Sequence, residues 1–316
     1  MKKLSIRKLG KIFIVILIVF FCVQWGRGFF PDQEKHARTS IQFLVKKIFP
    51  AADRKTQKGY GLKVLNRSEQ DTEGSDLIIL IHGLDEPGMI WMNLAPVLTG
   101  KNFRTFEMVY PNDQAISLSS DFFLGELEKL DEKRSVIVIA HSMGGLVTRN
   151  MLTRPDLKYS TLVQNGLVPR IKRLIMVGTP NHGSQLARLR IMTEIRDFLH
   201  HWLEKDAPFL YFLLDGTGAA AVDLIPGSKF LRELNARPRP RDVDMHIIAA
   251  RVIPLNQRFF DTIGDILVTV DSTRLKGVPL TLVRGTHLTM IRNLTRSSTR
   301  VPPAIPIIMD ILEGRL

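Results

Sequence analysis

From residue 76 onward, short apolar runs alternate with helix-like stretches. The runs are four to seven residues long and largely aliphatic, and they occupy residues 77–81, 103–109, 136–140, 171–177, 246–250 and 280–283. Unalternating runs of this length are typical of parallel strands that are covered on both faces. Helix-like stretches, including 91–98, 121–130 and 143–152, separate the runs. The alternation predicts an α/β fold with a mostly parallel central sheet and helices on both of its faces.

Residues 185 to about 235 interrupt this alternation after the fourth apolar run. Apolar residues recur there at helical spacing, at Leu189, Met192, Ile195, Leu199 and Trp202, and 209–214 is apolar throughout. This pattern predicts an inserted helical cap. Two interpretations stay open: a mobile lid whose apolar face meets lipid, or a fixed layer that packs on the core.

The N-terminus combines a basic stretch with an apolar run at residues 12–23. A run of this length suits a signal peptide and is short for a bilayer span, which takes roughly 17–25 residues. We expect residues 1–28 to be an uncleaved, single-pass membrane anchor with the rest of the chain exported; secretion after signal cleavage is the alternative. Residues 29–75 then form a juxtamembrane segment with a possible edge strand at 60–65, and residues 76–316 form the main domain.

The formal net charge of +13 favours an anionic partner, either nucleic acid or a membrane surface. No nucleic-acid-binding motif such as a zinc-finger spacing occurs, so we expect a membrane partner and no nucleic acid. The single cysteine, Cys22, lies in the N-terminal apolar run, which excludes an intrachain disulfide and a cysteine metal site. His182, His200 and His201 lack ligand-like companions, and we expect no metal ion and no cofactor.

A serine follows the apolar run at 136–140, within the sequence AHSMGG at residues 140–145. At a tight turn from a strand into a helix, such a serine is lifted above the edge of the sheet, and the crowded turn requires small neighbours. The common pattern is G-x-S-x-G, and Ala140 here replaces its first glycine. Ser142 is therefore the candidate nucleophile.

Five short segments occur in the order found in the lipase and esterase branch of the α/β-hydrolase superfamily, the branch that includes bacterial triacylglycerol lipases. They are IHGL at 81–84, AHSMGG at 140–145, TPNHGS at 179–184, GDILV at 264–268 and GTHL at 285–288. Together the five segments extend the resemblance over residues 76–290. One departure is Ile266, which stands where the glycine after the acid usually lies. The resemblance implies an α/β-hydrolase fold with a cap inserted at about 185–235.

The resemblance also implies a catalytic triad in the chain order serine, acid, histidine. His287 is the expected base, because a serine hydroxyl needs a partner that takes its proton. Asp265 is the expected acid that orients the imidazole. Asp261 is its near rival, and Asp271 and Asp244 are weaker ones.

Backbone N–H groups of Leu84 and Met143 are the expected donors of an oxyanion hole. His82 and His141 are expected to brace the turn and to pack beside the nucleophile.

The expected activity is hydrolysis of a lipid-like or small carboxylic ester through an acyl-enzyme on Ser142. The same residues would serve an amidase, a thioesterase or an acyltransferase, because one site supports many acyl-group chemistries. A catalytically silent scaffold or an export-associated chaperone is the alternative from a different class.

Overall fold

The computed structural model describes residues 35, 40, 59–66, 76–84, 89–130, 134–184, 219–251, 268–295 and 297–316. The expected anchor at 1–28, the cap residues 185–218 and the predicted acid loop at 252–267 lie outside the described residues. Within the part of the chain that the structure describes, no helix has both the length and the apolar character needed to cross a bilayer.

The described strands form one seven-stranded sheet in the order β1-β3-β2-β4-β5-β6-β7. The strands are β1 (Gly61–Asn66), β2 (Leu77–Ile81), β3 (Thr105–Val109), β4 (Val136–His141), β5 (Ile171–Val177), β6 (Asp244–Arg251) and β7 (Leu280–Arg284). β1 lies at one edge and runs antiparallel to β3, and the other neighbours pair in parallel. All six apolar runs are strands, and the possible edge strand at 60–65 is β1, so both predictions are confirmed.

Eight α-helices accompany the sheet in the described residues. They are α1 (Leu94–Gly100), α2 (Ile116–Glu128), α3 (Met143–Thr153), α4 (Tyr159–Gln164), α5 (Ala219–Asp223), α6 (Lys229–Ala236), α7 (Val270–Thr273) and α8 (Ala304–Leu312). Short 3-10 turns occur at Met89–Trp91 and Pro155–Leu157.

Both faces of the sheet are buried, as the unalternating runs predicted. On β2, Ile79 and Ile81 point into the layer formed with α2, α3, α5 and α6, while Ile78 and Leu80 point into the layer formed with α1 and α8. Side chains of a strand alternate between its two faces, so a strand covered on both sides is apolar at every position.

The end of the predicted cap is part of the first layer. Within α6, Phe230, Leu231 and Leu234 are buried in the same apolar cluster as Leu146 of α3. Residues 219–235 are therefore a fixed layer on the core, and the prediction of a cap stays open for residues 185–218.

Candidate active site

Ser142 lies between the last residue of β4 and the first residue of α3. Its backbone has φ 53° and ψ −127°, a sparsely populated positive-φ conformation that costs a residue with a side chain about 1–3 kcal/mol. The amide of Ser142 donates to the carbonyl oxygen of Val177 at the end of β5, over 2.9 Å. The tight turn predicted from the sequence is present, and its strain is of the kind that folded proteins retain at functional sites.

Two glycines allow the first turn of α3 to pack closely against the carboxyl ends of the neighbouring strands. A Cβ atom on Gly144 would lie 2.4 Å from the carbonyl oxygen of Ile81, and one on Gly145 would lie 2.1 Å from Oγ1 of Thr179. Both distances are far below van der Waals contact. The small residues of the AHSMGG sequence are thus required by neighbours on β2 and after β5.

His287 lies in the turn after β7 and is 4% exposed. Its ring centroid is 4.6 Å from that of His141, and Nε2 of His141 donates to the carbonyl oxygen of His287 over 3.0 Å. A Cβ atom on Gly178 would lie 2.9 Å from Nδ1 of His287. His141 directly precedes Ser142, and Gly178 follows the residue that accepts the Ser142 amide, so the structure brings His287 to the turn that carries Ser142.

The two expected oxyanion donors follow neighbouring strands. Ile81 of β2 is paired with Ala140 of β4, and Leu84 and Met143 each lie three residues farther along their chains. The N–H of Met143 opens α3, and the first N–H groups of a helix have no acceptor within the helix. Both N–H groups therefore lie at the carboxyl edge of the sheet.

Tyr110 and His82 brace the turn that carries Leu84. The hydroxyl of Tyr110 donates to the carbonyl oxygen of His82 over 2.7 Å, and the two rings stack at 4.7 Å. Nδ1 of His82 donates to the carbonyl oxygen of Gly83 over 2.7 Å. This matches the bracing role expected for His82, whereas the partner Tyr110 was not predicted.

The structure excludes two of the four candidate acids. Asp244 is the first residue of β6, at the edge of the sheet opposite to Ser142, where it pairs with Arg173 over 2.8 Å. The side chain of Asp271 is 94% exposed and pairs with Arg274. Asp265 and Asp261 lie outside the described residues.

A buried cation that the sequence analysis missed links α3 to the segment after β5. Arg149 is 5% exposed and donates to Oδ1 of Asn181 over 2.8 Å and to Oδ1 of Asn235 over 3.0 Å. Burial lowers the pKa of the Arg149 guanidinium to about 10. Asn181 in turn donates to the carbonyl oxygen of Thr273 over 2.7 Å. The available signal was Arg149 itself, the one charged residue in the sequence of α3.

His182 belongs to this hydrogen-bonded group. Its Nε2 donates to the carbonyl oxygen of Arg274 over 3.0 Å, and Nδ2 of Asn235 lies 3.5 Å from its Nδ1. Among the residues that the structure describes, no three His, Cys, Asp or Glu side chains are grouped so that they could hold a metal ion.

Comparison with known proteins gives a family match over part of the chain. Residues 119–269 match a family model described as a domain of unknown function (DUF7379). No curated protein sequence matches the chain.

Solved structures give broader likenesses. The mature lipase BlEst2 of Bacillus licheniformis has a TM-score of 0.57 and 18% sequence identity, covering 79% of this chain and 97% of that one. The metagenomic carboxyl esterase MGS0156 has a TM-score of 0.53 and 18% identity, covering 78% of this chain and 77% of that one. The phospholipase PlaB of Legionella pneumophila has a TM-score of 0.53 and 16% identity, covering 76% of this chain but only 60% of that one.

With the strand order and the turn at Ser142, these likenesses show that the chain has the α/β-hydrolase fold. The resemblance inferred from the five sequence segments is confirmed at the level of the fold.

Proposed function

We propose that this protein is a serine hydrolase that cleaves a lipid-like carboxylic ester through an acyl-enzyme on Ser142. The observation that carries the proposal is the strained turn at Ser142 with the buried His287 ring beside it, against Gly178 and His141. A positive φ at a serine is costly and persists only where the surroundings impose it. The lipase, esterase and phospholipase among the structural neighbours support a hydrolase of this fold.

In the proposed reaction, Oγ of Ser142 attacks the ester carbonyl carbon while His287 takes its proton. The oxygen of the tetrahedral intermediate accepts hydrogen bonds from the N–H groups of Met143 and Leu84. The protonated His287 then gives the proton to the departing alkoxide, which leaves as an alcohol. A water molecule reverses these steps on the acyl-enzyme and releases the carboxylic acid.

Asp265 is the proposed acid of this triad, with Asp261 as the alternative. A carboxylate stabilises the imidazolium that forms in each half of the reaction and holds the imidazole in the productive tautomer. The positions of Asp244 and Asp271 support this choice, because neither can serve His287.

The lipid preference and the membrane tether are parts of the proposal that depend on the sequence. The apolar run at 12–23 would anchor the chain, and the apolar stripe of residues 185–218 would cover or contact the substrate. Anchoring would keep the site near a bilayer, so that an ester could reach it from the membrane.

The proposal is tested with a fluorophosphonate probe, which reacts only with an activated serine. Wild type should be labelled and Ser142→Ala should not, whereas Ser297→Ala, a change at an exposed serine, should label like wild type. Hydrolysis of short esters, triacylglycerols and phospholipids by the same samples would then define the substrate. Undiminished labelling of Ser142→Ala would refute the assignment of the nucleophile.

A further inference from the structure

Lys35, from the juxtamembrane segment, is held at the surface of the domain. Its Nζ lies 2.6 Å from Oδ1 of Asp223 and 5.7 Å from the centre of the Phe230 ring. Asp223 is 2% exposed, and its other oxygen accepts the amide of Ile116, the first residue of α2, over 3.0 Å. A carboxylate at a helix N-terminus is favourable, and a buried one needs a cation partner. The contact therefore joins the juxtamembrane segment to α5 and to the start of α2.

The contact lies at the root of the predicted cap. Asp223 is the last residue of α5, and the next residue, Leu224, accepts the amide of Ser184 over 2.8 Å. Ala220, in the same helix, donates to the carbonyl oxygen of Asp113 over 3.3 Å. Residues 184 and 219, which flank the stretch 185–218, are therefore both attached at α5. Lys35 therefore contacts the domain at the same place as residues 184 and 219.

A cavity of about 370 Å³ opens beside this contact, and its lining includes Lys35, Leu118, Lys229 and Phe230. We call the surface around it, on which Lys35, Leu118 and Lys229 are solvent-accessible, the tether face. It lies on the side of the sheet covered by α2, α3, α5 and α6, whereas α1 and α8 cover the other side.

The short connection to the proposed anchor limits which face of the domain can meet the membrane. Only residues 29–34 lie between the end of the anchor and Lys35, and such a connection spans at most about 25 Å. A domain of the size of 76–316 has a radius of gyration of about 18 Å, and thus a diameter of roughly 45 Å. A connection attached at the tether face is therefore too short to bring the opposite face to the bilayer.

We infer that the tether face lies against the phospholipid bilayer, with the root of the predicted cap facing the membrane. This inference rests on the membrane tether of the proposed function and adds the orientation of the domain. Residues 184 and 219, on either side of the stretch 185–218, would then lie on the membrane side of the domain.

The orientation is measured by energy transfer from single labelled cysteines to an acceptor lipid in vesicles of phosphatidylglycerol and phosphatidylethanolamine. In the full chain with Cys22→Ser, labels at Lys229→Cys and Lys101→Cys compare two exposed lysines on opposite sides of the sheet. At least two packing layers of about 10 Å each separate the sites, so transfer from residue 229 should exceed transfer from residue 101 by about twofold or more. Lys35→Gln should reduce this difference, and Lys63→Gln, the same change at an exposed lysine of β1, should preserve it.

Vesicle flotation and hydrolysis of a short soluble ester, measured on the same samples, distinguish a failure of the orientation from a failure of the proposed function. Equal transfer from both labels in a chain that floats and hydrolyses the ester would overturn the orientation alone. A chain that hydrolyses the ester but does not float would overturn the tether, and the orientation with it. Loss of ester hydrolysis in every labelled sample and in the unlabelled chain would instead count against the proposed activity.

Discussion

Alanine at position 178 would place one additional carbon atom against the ring of the candidate base. Gly178 follows β5 with φ +63°, and a Cβ atom there would lie 2.9 Å from Nδ1 and 3.1 Å from Cε1 of His287. Gly166, with φ +68°, has no atom within 4 Å of such a Cβ. Gly178→Ala and Gly166→Ala therefore impose nearly the same backbone strain, and only the first imposes a contact on His287.

The backbone strain and the contact with His287 differ in magnitude, and different measurements report them. An alanine in the left-handed region costs about 1–2 kcal/mol at either position, which lowers Tm by about 2–8 °C for a domain of this size. To restore a separation of about 3.5 Å, the His287 ring must also move by roughly 0.6 Å in Gly178→Ala. Since a displacement of about 1 Å can cost two orders of magnitude in rate, kcat should fall by about 10- to 100-fold.

Steady-state hydrolysis of a short p-nitrophenyl ester, together with thermal unfolding by circular dichroism, tests this reasoning. Gly178→Ala should lose kcat with little change in KM, while Gly166→Ala should lose only thermal stability. Equal losses of kcat in both variants would attribute the effect to strain. Full activity of Gly178→Ala would refute the role of the His287 position in catalysis.

Two further variants probe the acid and the buried cation. Asp265→Asn should lower kcat by about 10⁴-fold with the fold intact, and Asp261→Asn should be nearly silent; reversed results in the same esterase assay would make Asp261 the acid. Arg149→Met should lower the free energy of unfolding by about 2–4 kcal/mol, because two amide oxygens, on Asn181 and Asn235, lose their donor. Urea unfolding measures this change, and an unchanged midpoint would mean that burial of the guanidinium costs as much free energy as its hydrogen bonds return.

The strands could be predicted closely because burial on both faces leaves a continuous apolar signal. The runs at 77–81 and 171–177 coincide with β2 and β5. The prediction for β6 was too short, since the strand extends to Asp244 and Arg251, whose polar side chains end the apolar run. Their backbones continue the ladder, with Asp244 opposite Arg173 and Arg251 opposite Arg284. The apolar pattern thus locates a strand, and pairing with its neighbours determines its length.

The first turn of α2 could not be predicted from the local sequence. The predicted helix at 121–130 begins five residues too late, and the missed first turn includes the polar residues Ser119 and Ser120. Both serines are buried, and the hydroxyl of Ser120 accepts from Asn150 over 2.9 Å. The N-cap residue Ala115 makes no side-chain capping bond, and the amide of Ile116 donates instead to Asp223, which lies 107 residues away along the chain. A helix start that depends on a distant side chain leaves no signal near the start itself.

The candidate site also combines a feature that is visible in the local sequence with one that depends on the fold. The turn at Ser142 is a local property of a strand, a small-residue turn and a helix, so its sequence reveals it. The position of His287 depends on Gly178, which lies 109 residues earlier in the chain and directly before the TPNHGS segment. The glycine could have been noticed at the end of its apolar run, but only the fold brings it to the histidine ring.

The two candidate acids, Asp261 and Asp265, lie in the stretch 252–267, and the described residues on either side of it are hydrogen-bonded near His287. The amide of Gly285 donates to the carbonyl oxygen of Arg251 over 3.3 Å, so residues 252–267 begin beside the turn that carries His287. At the other end of that stretch, Val268 is buried close to the start of α7. Carbonyl oxygens of α7 accept hydrogen bonds from the side chain of Asn181 and from the amide of His182, both in the segment after β5.

Asp265 is three residues from Val268 and can lie at most about 11 Å from it, whereas Asp261 is seven residues away and can lie up to about 25 Å from it. α7 is bonded to the segment that begins at Gly178, against which the His287 ring lies. Both aspartates therefore stay candidates for the acid, and the paired asparagine variants decide between them.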